Sequence, residues 1–176
     1  MNKQLKIMIA TALGISLFVV LTLCLQVPVF ENYYLCLGYI AMAVFLYSFG
    51  TVSGTIVGAL GVVLYCLLTS GLRGMPGWAL GNVFIGVGLG LTFALTKRIK
   101  NKWLKYGIWG LAVVVFVAIG ILGIKSLIDS LIKSQPFLVR ATMNLYAFVA
   151  DAVVLILALP ICELLDPVAQ KLVKGR

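Results

Sequence analysis

The sequence predicts an all-α integral membrane protein: six transmembrane helices in one bundle, with both termini cytoplasmic. Three observations carry this. Of 176 residues, 62% are hydrophobic and only 11% are charged, and mean hydropathy is +1.14. A soluble domain is about half apolar and a quarter charged. The apolar residues gather into six segments, most of them near the ~20 residues that a spanning helix needs. Lys and Arg are shared unequally between the two sets of connecting segments. No connection is long enough for a soluble domain, so residues 1–176 read as a single membrane domain.

The first span covers about 5–26. MNKQLK before an apolar run resembles a signal peptide, and LTLC at 21–24 resembles a lipoprotein box. Leu23 stands where a small residue is wanted, and the run is long enough to cross, so a retained helix is expected. The second span, about 35–49, is short enough to be tilted, re-entrant or extended into its loop. The third covers about 51–70 and the fourth about 77–96. The fifth covers about 104–124 with a possible continuation to 132, and the sixth about 137–165.

With six spans, one side carries Lys3, Lys6, Lys97, Arg98, Lys100, Lys102, Lys105, Lys171, Lys174 and Arg176. The other carries only Arg73, Lys125, Lys133 and Arg140. The positive-inside rule therefore puts both termini in the cytoplasm and the segment RGMPGWALGN (73–82) outside. Trp103, Tyr106 and Trp109 suit the inner interfacial belt, and Trp78 the outer one.

Several function classes fall away. The chain has no histidine, which removes the commonest general base and zinc ligand. Its acidic residues are Glu31, Asp129, Asp151, Glu163 and Asp166, with no obvious catalytic pair among the last three, so neither an enzyme nor a metal site is expected. GVGLG is not a nucleotide loop, because no G-x-G-x-x-G follows a strand, and no cofactor is expected. The net charge of +9 reads as topology and contact with anionic lipid headgroups rather than nucleic acid. Cys24, Cys36, Cys66 and Cys162 form no C-x-x-C pair and read as small buried hydrophobes, although a Cys24–Cys36 pair near the outer face stays open.

Two patterns are candidates for function. Small residues four apart let helices approach closely. In the third and fourth spans they read as internal packing. In the first span, Ala10-x-x-x-Gly14 and Ala12-x-x-x-Ser16 lie in the cytoplasmic half, where a partner could equally dock. Polar residues at membrane depth are costly and are functional by default. Arg140, Asn144, Ala147 and Asp151 share one face of the sixth span, and Trp78 and Asn82 are one turn apart on the fourth. Together with Arg73 they suit a small, partly aromatic, hydrogen-bonding ligand. The same residues could simply hold helices together, and Asp151 lies deep enough for that role. PVFENYYLCLGY (28–39), with Tyr33, Tyr34 and Tyr39, is either an interfacial tyrosine belt or a lid. KSLIDSLIKSQP, with Lys125, Asp129 and Lys133, reads as a solvated amphipathic extension.

The six spans, inside termini, Ala10-x-x-x-Gly14 patch and run from 35 to 90 resemble the substrate-binding S component of an energy-coupling factor (ECF) vitamin transporter. Within that run lie the Leu-Gly of YLCLGY, the G-x-x-x-G-x-x-G of the third span and the Pro before the fourth. Tyr39 stands where that pattern often has an acidic residue, and Asn82 where it often has a lysine. The resemblance implies capture of one micronutrient at the outer face of a bacterial plasma membrane, by helices 4 to 6 and the outer loops. It implies docking through the first helix, at Ala10, Ala12 and Gly14, onto a transmembrane coupling subunit that carries two cytoplasmic ATPases. The candidate ligand residues are Trp78, Asn82, Arg140, Asn144, Arg73, Tyr34 and Asp151. Lacking a cluster of cations, the site disfavours a polyanion. A ring compound of pyridoxine or hydroxymethylpyrimidine type is the first expectation and cobalamin the second. The alternative is a small carrier working alone, which predicts paired charges in mid-membrane on several helices.

Overall fold

The computed structural model describes residues 3–24, 27–30, 33–69 and 71–174, with side chains for 4–24, 35–69 and 71–171. The order of elements is α1 (Lys3–Cys24), β1 (Val27–Phe30), β2 (Tyr33–Leu35), α2 (Gly38–Phe49), α3 (Thr51–Leu68), α4 (Met75–Thr96), α5 (Lys102–Val117), a π-helical segment (Ala118–Lys125), α6 (Ser126–Lys133) and α7 (Phe137–Lys174). Five helices are long and apolar enough to cross a membrane: α1, α3, α4, the continuous run Lys102–Lys133, and α7. α2, at 12 residues, is shorter.

The interior of the bundle is mainly apolar, as in a soluble protein, but the exterior is apolar as well. Large apolar side chains such as Met8, Leu13, Leu95 and Leu157 are exposed on its outside, while Asn82, Ser126, Asp129, Asn144 and Asp151 are buried inside. Hydrocarbon around the bundle makes exposed leucines cheap and exposed polar groups costly, so the polar residues turn inward.

Glycine sets the helix spacing. A single residue, Gly50, joins α2 to α3 with φ +96°, a backbone conformation that side chains disfavour. α3 then folds back along α2. A Cβ at Gly54 would stand 2.5 Å from the Leu46 backbone nitrogen, and one at Gly61 would stand 2.5 Å from the Phe18 ring. The small-residue stripes of α3 and α4 are thus consumed in packing within the bundle, as expected. α4 meets the π segment in the same way, since a Cβ at Gly81 would lie 2.7 Å from the Gly120 carbonyl oxygen.

Three boundaries differ from expectation. Residues 33–35, in the stretch expected as an outer loop, form the second strand of a short antiparallel hairpin with 27–30, and α2 begins at Gly38 rather than at about 35. The backbone of that hairpin packs against α7. The fifth helix does continue to Lys133, but through eight π-helical residues, Ala118–Lys125. The sixth runs to Lys174, with Pro160 and Pro167 inside it. At ~1.5 Å per residue its 38 residues extend ~57 Å, well beyond the ~30 Å hydrocarbon core.

Candidate ligand-binding site

Trp78 and Asn82 sit one turn apart on α4, and both reach the first turn of α2. The Trp78 indole Nε1 donates to the Tyr39 hydroxyl at 3.0 Å, and that hydroxyl donates to Asn82 Oδ1 at 2.7 Å. Asn82 Nδ2 in turn donates to the Gly58 carbonyl on α3 at 3.0 Å. The glycine leaves that carbonyl accessible, and the bond fixes which end of the amide faces Tyr39. Tyr39 and Asn82 are fully buried, and the Tyr65 ring stands edge-on to the half-buried Trp78 at 5.7 Å. Asp151, buried on α7, lies against the Tyr39 hydroxyl and within electrostatic reach of Lys125. Tyr39 has one proton and two acceptors near it, so its hydroxyl is the junction of α2, α3, α4 and α7.

A second cluster surrounds Asn144. Lys125 Nζ donates to Asn144 Oδ1, and to Asp129 Oδ2 at 3.4 Å. Asn144 Nδ2 donates to Ser126 Oγ at 2.9 Å, and Ser126 Oγ donates to the Ile121 carbonyl, five residues back, at 3.0 Å. The serine hydroxyl thus bonds back onto the π segment that precedes it. Lys125, Ser126 and Asp129, expected on a solvated extension, are instead turned into the bundle. The Asp129 carboxylate lies beside Gly77 in the first turn of α4, where the helix dipole favours a negative charge.

The expected residues divide. Trp78, Asn82, Asn144 and Asp151 enter the two clusters. Arg140, one turn before Asn144, is half-buried, and its Nη1 makes a long contact of 3.8 Å to Met143 Sδ. Arg73 is exposed in the α3–α4 turn and joins neither cluster. Tyr34 lies in β2, and its side chain is outside the described residues. Tyr39, Lys125, Ser126 and Asp129 were not among the expected ligand residues. A lysine and an aspartate four apart after an apolar run was the available signal for the last three.

The docking residues on α1 also divide. A Cβ on Gly14 would lie 2.6 Å from the Phe45 ring and 2.8 Å from Val57, so Gly14 faces α2 and α3, not outward. Its expected place on an exposed patch is corrected by that packing. Ala12 is exposed and Ala10 half-buried. Ala12 lines an open groove of about 370 Å³ between α1 and α3, together with Met8, Val52 and Ile56. Thr11 and Ser53 share a hydrogen bond of 2.6 Å across it. At the far end of α2 from Tyr39, Lys105 Nζ pairs with Glu163 at 2.6 Å and donates to the Tyr47 hydroxyl at 2.9 Å. Tyr106 donates to the other Glu163 oxygen at 3.0 Å, which ties α2, α5 and α7 together.

Comparison with known proteins decides the family. Residues 2–166 match the family described as "ECF-type riboflavin transporter, S component". The chain belongs to this S-component family. Among curated proteins it is 32% identical over 112 residues to a UPF0397 protein of Lactococcus lactis subsp. cremoris (strain NZ9000), covering 62% of this chain and 57% of the relative. UPF0397 protein YdcD of Lactococcus lactis subsp. lactis (strain IL1403) matches with the same identity and coverage. The chain thus spans rather more than half the length of these relatives. No solved structure matches it significantly. A transport subunit, not an enzyme, is what this family describes, and five apolar helices agree with a multi-pass membrane protein.

Proposed function

We propose that this S-component protein is the substrate-capture subunit of an ECF transporter, binding a vitamin or vitamin precursor from outside the cell. The observation that carries the reading is the buried Trp78–Tyr39–Asn82 chain, with Asp151 against it, inside a bundle whose exterior is apolar. An indole, a phenol and an amide, held by one another, form a polar and aromatic wall suited to a ring compound. The pyridoxine or hydroxymethylpyrimidine type remains the first candidate and cobalamin the second. The family description adds riboflavin to the compounds to be tested.

In this reading α2 crosses with its neighbours to give six spans in one membrane domain, both termini are cytoplasmic, and the membrane is a bacterial plasma membrane. The exposed Lys97, Arg98, Lys100 and Lys102 then face inward. The partners are a transmembrane coupling subunit and two cytoplasmic ATPases, and the α1 face carrying Ala12 and Ala10 meets the coupling subunit. Co-expression with an ECF module tests this. ATP-dependent uptake of the bound compound is expected only when the module is present. Uptake by this chain alone, driven by an ion gradient, would replace the reading with a solitary carrier.

A further inference from the structure

The connection from α4 to α5 concentrates charge of one sign. KRIKNKWLK (97–105) holds five Lys or Arg and no acidic residue. Three of the five have company. Lys105 is paired with Glu163, Lys102 lies within electrostatic reach of the same carboxylate, and the Lys97 ammonium stands 5.4 Å over the Tyr47 ring. Arg98 and Lys100 are exposed, and among the described residues neither side chain makes a salt bridge or a hydrogen bond. Like charges held this close repel one another unless an anion lies among them.

The depth of this segment in the membrane follows from its neighbours. Trp103 is 87% exposed at the start of α5, beside the exposed Leu104. A tryptophan on the outside of an apolar bundle belongs at the headgroup level. Next to it, between α4 and α5, runs an open groove of about 280 Å³, lined by Leu95 and Thr96 on one side and Ile108, Leu111, Ala112 and Val115 on the other. Thr96 is followed directly by Lys97 and Arg98, so one end of the groove adjoins the basic connection. The groove offers nothing to a polar solute. Its two hydroxyls are already spent on their own helix, Thr92 Oγ1 donating to the Gly88 carbonyl at 2.9 Å and Thr96 Oγ1 to the Thr92 carbonyl at 2.8 Å. The first N–H groups of α5 are spent as well, since Asn101 Oδ1 accepts from Trp103 N and Leu104 N. An anion at this level therefore meets side chains.

We infer that the α4–α5 face is a binding site for an anionic phospholipid, with one acyl chain in the groove and the phosphate on Arg98 and Lys100. The apolar groove selects a lipid over a free phosphate. The basic segment selects an anionic headgroup over a zwitterionic one, whose own cation would face Arg98 and Lys100. The site rests on the membrane bundle alone and is independent of the captured compound.

Native mass spectrometry of the purified, delipidated full chain in detergent tests it. The probes are phosphatidylglycerol, phosphatidylcholine with the same acyl chains, and glycerol 3-phosphate. One phosphatidylglycerol is expected to be retained about tenfold more tightly than phosphatidylcholine, and glycerol 3-phosphate not at all at the same concentrations. Arg98→Gln with Lys100→Gln should weaken phosphatidylglycerol about tenfold or more, the scale of two cations at a membrane surface. Lys171→Gln with Lys174→Gln removes the same charge from the end of α7 and should leave retention nearly unchanged. Ala112→Phe, which fills the groove, should weaken phosphatidylglycerol as well. Equal retention of the two lipids, or equal loss in the α7 control, overturns the headgroup site. Binding of glycerol 3-phosphate as tight as that of phosphatidylglycerol, or full retention in a folded Ala112→Phe, overturns the groove. Should Ala112→Phe fail to fold, the probe comparison and the two charge variants still decide the proposal.

Discussion

Asn82 is where the account is most sensitive at the scale of one residue. Its amide spends both ends on protein, the oxygen on Tyr39 and the nitrogen on the Gly58 carbonyl. Leucine at this position matches its bulk but removes one hydrogen bond from the Tyr39 hydroxyl, which keeps Trp78 and Asp151, and one from the Gly58 carbonyl, which stays in the α3 ladder. Asn82→Leu is expected to cost about 0.5–1.5 kcal/mol per hydrogen bond lost, read as a lower unfolding temperature in detergent. Trp78→Phe is milder. It keeps a ring against Tyr65 and removes only the indole donor to Tyr39. Binding of the captured compound should weaken severalfold, with the unfolding temperature within a few degrees of wild type. Equal loss of stability in both variants would show that Trp78 serves packing alone. At this scale the sequence was partly legible. A Trp and an Asn one turn apart beside a membrane span were conspicuous because polar residues there are rare. Tyr39 was not, because tyrosine at a span end is ordinary. Nothing local says that its hydroxyl is the junction of four helices.

At the scale of elements, the glycine stripes determine which helices touch. Gly54 is pressed against the backbone of Leu46, and backbone cannot swing aside as a side chain can. Gly54→Leu is therefore expected to destabilise α2–α3 packing by more than the ~1–3 kcal/mol of ordinary overpacking, while Gly107→Ala, with open space around it, should be neutral or slightly stabilising. Thermal unfolding of the two variants side by side checks this. The tie between α5 and α7 makes a second expectation. Lys105→Met strands Glu163 with Tyr106 as its remaining partner, and should lower stability. Lys105→Met with Glu163→Leu should recover part of the loss, because removing both charges is cheaper than removing one. A double variant no more stable than the single would contradict it. The long spans were legible from apolar length alone. The β-hairpin was not, since its three-residue strand YYL continues smoothly into the apolar run of α2. The π segment was hidden for a related reason. Seven apolar and glycine residues followed by a lysine satisfy an α-helical pattern equally well. Only tertiary contact, Gly120 on Gly81 and Lys125 on Asn144, shows that the helix has been widened to aim Lys125 inward.

For the whole molecule, the proposed capture role asks one chain to present two surfaces, a buried polar cluster that would select the compound and an apolar exterior that would meet a partner. Gly14, packed on Phe45 and Val57, cannot probe the exterior without disturbing the bundle. Ala12 can, because it is exposed beside the α1–α3 groove. Ala12→Trp should leave ligand affinity unchanged and abolish co-purification with the coupling subunit and its ATPases. Retained co-purification would move the docking face off α1. The overall class, a membrane bundle with a buried polar cluster, followed from composition and from a few misplaced polar residues. Which face of α1 looks outward could not follow from spacing alone, because Ala10, Ala12 and Gly14 all fit a small-residue pattern and only packing distinguishes them.

Capture itself is tested most directly by calorimetric binding of the purified chain, without ATP or partners, to pyridoxine, hydroxymethylpyrimidine, riboflavin and cobalamin. Saturable one-to-one binding of one ring compound is expected, weakened in Trp78→Phe. Wild-type protein that is folded, and that binds none of them, would contradict it.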